Sequence, residues 1–116
     1  MKNRGEHQWG DLAMRMQRGG FTYNPRTQTY PTSGIAVAAH PGAELKVPHS
    51  EGGATLGDIR GFVKGSQPIW SVQHAAGKGQ EHIGAWRDEA EHKDVLDLPK
   101  VFPETPSGHM LPSRSR

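Results

Sequence analysis

Cysteine is missing from all 116 residues. Its absence removes disulfides, thiolate nucleophiles and cysteine-based zinc sites together. Long apolar runs are missing too. No segment approaches the about 18 apolar residues that a membrane helix needs. Residues 1–10, MKNRGEHQWG, carry no apolar signal-peptide core. A soluble, non-exported chain without a membrane partner is expected. Apolar residues are scarce overall, 33%, against 15 Gly and 9 Pro. A core of roughly 70–80 residues with looser ends follows from that balance. Net charge is also small, since 14 basic and 12 acidic side chains leave +2. That field is too weak to argue for a nucleic-acid partner by itself. There is no HExxH zinc helix, no Walker-type phosphate loop and no dinucleotide fingerprint, so no cofactor or metal is expected.

What is present is strand and turn chemistry. Residues 19–48 read as a meander: a Gly19-Gly20 break, a strand at 21–23, an Asn24-Pro25 turn, a return strand at 27–30, and an apolar strand at 35–39. Residues 82–98 read as a hairpin, with HIGAW and DVLDL as strands around a polar DEAEH connection. Two helices are predicted with most support. One spans 11–18, capped by Asp11. The other spans 55–65, where Thr55 and Asp58 form a capping box and Leu56, Ile59, Phe62 and Val63 share a face. A third, shorter helix is predicted over 68–76. Residues 40–54 read as a long loop, and Pro99 as the end of the last strand.

The fold class expected is α+β. A meander and a hairpin make one small antiparallel sheet, covered by one or two short helices, with extended Pro/Gly-rich termini. Residues 1–10 are expected to be a flexible arm holding Trp9 against the body. Residues 11–102 form one domain, and 103–116 an extended Pro-rich tail. The expected core is Phe21, Ile35, Val37, Leu56, Ile59, Phe62, Val63, Ile69, Trp70, Ile83, Trp86 and Leu96.

Candidate chemistry is sparse. The seven His are scattered, and no pair has helical zinc spacing. His82 and His92 flank the hairpin turn and, with Glu81 or Asp94, come nearest to a metal set. They read more simply as surface histidines. Glu89 and Glu91 beside Arg87 are superficially similar to the carboxylate pattern of ADP-ribosyltransferases, but solvating a hairpin tip explains them. A small nuclease site needs a His base and a cationic or hydroxyl partner near a phosphate. His82, Arg87, Thr32 and Ser33 are the residues that pairing the two hairpins could assemble. The binding surface is expected at Tyr23, Arg26, Tyr30, Trp86 and Arg87. Arg15, Arg18, Arg26, Tyr23 and Tyr30 are the nearest approach to a nucleic-acid face.

Two segments carry a resemblance: GGFTYNPRTQTYPTSGIAVAAHPGAE and HIGAWRDEAEHKDVLDLPKVFPET. Their GGFT…P…T, TSG and GAW…D patterns resemble short uncharacterised proteins of bacteriophages, prophages and mobile elements. The resemblance covers about half the chain. It implies a phage or mobile-element lineage and no set activity. Together with the Pro/Gly-rich ends, it points to a non-catalytic accessory or virion-associated protein that binds another protein, of the host or the virion. Its location would be the host cytoplasm or the virion. The alternatives are a small toxin-like enzyme acting on RNA or a nucleotide, and a nucleic-acid binder.

Overall fold

One long hairpin runs through the whole molecule. The computed structural model describes residues 7–75 and 77–103. In it, strand β5 (Ile83–Asp88) turns at the acidic tip and returns as β6 (Lys93–Asp97). The same two arms continue past the sheet as β4 (Gln80–Glu81) and β7 (Pro99–Phe102). The register does not slip. Arg87 faces Asp94 and Gly84 faces Asp97 in one half, and Glu81 faces Lys100 in the other. His82 N–H to Pro99 O, at 2.8 Å, bridges the junction.

The remaining strands attach along the edges. β1 (Gly20–Tyr23) pairs with β5, and β3 (Leu45–Pro48) pairs with β6, giving a four-stranded antiparallel sheet. β2 (Ile35–Ala38) pairs with β7, giving a three-stranded sheet ordered β2-β7-β4. The architecture is α+β, as expected, but with two sheets instead of one. The predicted meander does not pair with itself. Thr29 returns to make only an isolated bridge with Asn24. Asn24 Oδ1 accepts from the Arg26 and Thr27 N–H groups, at 2.9 and 3.2 Å, so the turn closes on itself before a second strand can form.

Three helices pack over the hairpin, the last of them against its β4 arm. They are α1 (Trp9–Gln17), α2 (Leu56–Gly65) and the single turn α3 (Gln67–Trp70), shorter than the helix predicted over 68–76. The capping box predicted for α2 is formed: Thr55 Oγ1 accepts from Asp58 N–H at 3.2 Å and Asp58 Oδ2 accepts from Thr55 N–H at 2.9 Å. α3 is held by its indole, since Trp70 Nε1–H donates to Val63 O at 2.8 Å. α1 ends on Gly19-Gly20, and Gly20 admits no other residue. Its φ is +138°, and an added Cβ would lie 2.1 Å from Ala85 O.

The core joins Leu12 and Met16 of α1, Ile59 and Val63 of α2, and Trp70 of α3 to Phe21, Tyr23, Ile83, Ala85, Leu96 and Leu98. Burying side chains of this size stabilises by roughly 1.5–3 kcal/mol each. Four expected core residues are exposed: Ile35, Val37, Leu56 and Trp86. Trp86 alternates onto the helix-free face of β5, because neighbouring strand residues point to opposite faces. Leu56 opens α2, one turn ahead of the buried Ile59–Val63 stripe. Ile35 and Val37 belong to the three-stranded half, beyond the helices. Three strands were not predicted, among them β4, which precedes the hairpin expected over 82–98. β3 lies in the expected loop, and β7 starts at Pro99, a position where a strand tolerates proline because its first N–H can go unpaired. Of the arm expected over 1–10, residues 1–6 lie outside the described residues, and Trp9 opens α1 half-buried. Of the tail expected over 103–116, all but Pro103 lie outside them. No described helix is long and apolar enough to cross a membrane.

Candidate functional site

The expected surface at Tyr23, Arg26, Tyr30, Trp86 and Arg87 is not one surface. Tyr23 is fully buried, with its hydroxyl 2.8 Å from His7 Nδ1. Burial, with Asp11 adding to it, pushes its pKa up to about 12. Tyr30 donates to Asp11 Oδ2 and lies under the Arg15 guanidinium, 3.6 Å from the ring centroid. Burial first, then the bond to Asp11, raises Tyr30 above its ordinary value. Arg26 is half-buried in the Asn24 turn. Trp86 and Arg87, adjacent on β5, point to opposite faces.

The constellation His82, Arg87, Thr32 and Ser33 is not assembled either. His82 is buried, and its Nδ1–H donates to Gln80 O at 2.8 Å. Burial lowers its pKa, with Arg26 acting in the same direction, so the imidazole is held neutral. Five residue steps of extended chain carry it about 16 Å from Arg87, and alternation puts the two on opposite faces. Thr32 and Ser33 are exposed and line a cleft of about 230 Å³ with Thr22, Pro31, Ala36 and Val101.

Arg87 does join a cluster, with different partners. Asp94 lies opposite it in the β5–β6 register and is only 1% exposed. Its carboxylate accepts from Ala54 N–H at 2.8 Å, His49 Nε2–H at 2.9 Å and Arg87 Nε–H at 3.1 Å. Burial by itself would raise Asp94. The bonds from Ala54, His49 and Arg87 outweigh it and hold the carboxyl below its ordinary value. The glycine loop before α2 is shaped around this group. Gly53 has φ +72°, and an added Cβ would lie 2.6 Å from Asp94 Oδ2. β3 delivers His49 to the site, where its backbone N–H bonds His92 O at 2.8 Å. Reading residues 40–54 as a loop hid that delivery. The mirrored positions of Arg87 and Asp94 around the four-residue tip at 89–92 were the available signal.

A second buried carboxylate lies on the shorter half. Glu81 accepts from His40 Nε2 at 3.2 Å and His74 Nε2 at 2.7 Å, and Lys100 Nζ is 4.0 Å away. Burial opposes ionisation here too, and the bonds from His40 and His74 hold Glu81 below its ordinary value. The cluster ties two loops to β4 and β7. No group of three or more His, Asp or Glu among the described residues is placed to hold a metal ion.

Two apolar surfaces complete the inventory. A groove of about 550 Å³ runs over Gly57, Gly61 and Gly65 of α2, walled by Leu45, Phe62 and Leu98. Strand β2 is exposed at all four residues, and Ile35 and Val37 are 40% and 46% accessible. It is an edge strand, paired on one side only. No protein family, characterised relative or solved structure matches the chain.

Proposed function

We propose that the protein acts by binding another protein, and that β2 is the strand that makes the contact. The observation that carries this reading is the exposed apolar edge Ile35–Ala38. Edge strands are normally blunted by charge, proline, a bulge or a covering loop, because their unpaired N–H and C=O groups template further pairing. IAVA has no charge and no proline. An extended segment of a partner can add to this edge, with backbone hydrogen bonds giving affinity and side-chain contacts giving choice. Four residues supply few bonds, each worth roughly 0.5–1.5 kcal/mol net. The strand alone therefore supports a transient contact, and a second folded copy would bury too little at this edge for a stable dimer.

The resemblance to phage and mobile-element proteins supports a role as an accessory or virion-associated protein, working in the host cytoplasm or on the particle. The test is a photo-crosslinking residue at position 37, with a control at exposed Arg60, in cells carrying the native gene neighbourhood. One crosslinked partner at 37, lost on Ile35→Lys, is expected. Equal labelling from both positions, or no crosslink at 37, removes β2 as the contact.

A further inference from the structure

We propose that the Asp94–His49–Arg87 cluster is a site for cleaving single-stranded RNA, an activity separate from the β2 contact. Ionised Asp94 can only accept, so the His49 nitrogen 2.9 Å from it, Nε2, carries the proton. In the neutral ring Nδ1 then holds a free lone pair, a tautomer fixed by the carboxylate behind it. Nδ1 makes no hydrogen bond among the described residues, and the side chain is 23% exposed. This is a buried carboxylate orienting a histidine base.

Arg87 supplies the second half. It spends only Nε–H on Asp94, at 3.1 Å. Its two terminal nitrogens make no hydrogen bond among the described residues. A guanidinium held at one edge presents a planar pair of donors, which matches two phosphate oxygens. Asp94 thus holds a base and an anion clamp on one carboxylate oxygen, Oδ1.

A base and an anion clamp suit a substrate that brings its own nucleophile. RNA does: its 2′-hydroxyl adjoins the phosphodiester. His49 Nδ1 takes the 2′-hydroxyl proton and the 2′-oxygen bonds to phosphorus. The bond from phosphorus to the 5′-oxygen breaks, and that oxygen takes a proton from water. The products are a 2′,3′-cyclic phosphate and a 5′-hydroxyl. Arg87 holds the non-bridging oxygens as charge builds on them. Asp94 is a positioning residue. Asp88, Glu89 and Glu91 at the hairpin tip oppose a polyanion. RNA binding is therefore weak, and a high KM accompanies the activity.

The test uses the full chain, a mixed-sequence single-stranded RNA and its all-deoxy counterpart, with a chelator present. The RNA is expected to be cut to cyclic-phosphate ends and the deoxy strand left whole. His49→Gln keeps a side-chain N–H for Asp94 and has no basic nitrogen. It should lose at least about 100-fold in rate, the usual worth of a general base, with its thermal midpoint unchanged. Arg87→Lys keeps the charge without the fork and should raise KM. No cleavage by the native protein, or full cleavage by a folded His49→Gln, overturns the proposal.

Discussion

His74 and Glu81 are seven residues apart in sequence, and their side chains meet at 2.7 Å across the start of β4. Gln80 tightens the same loop. Its amide donates to His74 O at 2.8 Å, and its Oε1 accepts from His74 N–H at 3.2 Å. The shortest strand of the fold is thus held by side chains as much as by its ladder.

Acid should release this clamp. Glu81 titrates in the folded chain below its ordinary value near 4.5. A depressed folded value contributes stability that is whole above the unfolded value and is lost as pH falls through the folded one. Asp94, held below its ordinary 3.8, adds a loss of the same sign. Thermal midpoints measured from pH 7 downward should fall first below about 6.5, where buried neutral His82 opposes protonation, and further under about 4.5 as Glu81 titrates. Glu81→Ala should cost roughly 1–3 kcal/mol at neutral pH by stranding its partners, and should flatten part of that acid limb.

Asp97 behaves the other way. Its Oδ1 is buried without a partner among the described residues, and burial, helped by Glu44, raises its pKa above the ordinary 3.8. A raised folded value in an acid means stability is lost as pH rises through that window. Asp97→Asn removes the charge and should raise the thermal midpoint at pH 7. The gain should vanish below the ordinary value, where the native carboxyl is protonated in both states.

Two glycines should respond with opposite signs. Gly20→Ala drives a Cβ to 2.1 Å from Ala85 O at φ +138°, and should cost at least about 2 kcal/mol in urea denaturation. Gly61 lies inside α2 with nothing within 4 Å of an added Cβ. Gly61→Ala should stabilise by about 1 kcal/mol through helix propensity.

The capping box gives a sharper local test. Thr55→Ala removes the hydroxyl that accepts from Asp58 N–H and should cost about 1 kcal/mol. Hydrogen exchange should speed at the first turn of α2 and stay slow in β5 and β6.

The parts legible in the sequence were those specified locally. The Thr55–Asp58 box, the Asn24 turn, the Gly19-Gly20 break and the hairpin around DEAEH each follow from neighbouring residues. What failed depended on distant pairing. The run at residues 35–39 is apolar, but whether a strand lies under the helix layer is decided by which partner it finds, and β7 was hidden by Pro99. The candidate site divides along the same line. Arg87 was named because it sits in the hairpin. His49 was missed because only the pairing of β3 with β6 brings it to Asp94, 45 residues away.

The hairpin that carries both buried carboxylates also has a kinetic meaning. Its arms keep one register from the tip to Gln80 and Val101. Each rung closes a loop little longer than the last, so the entropy of closure grows slowly as it zips. Such a segment can form on the microsecond scale, before the distant β1, β2 and β3 arrive. The long hairpin would then serve as the template on which the slower edges of both sheets are laid down.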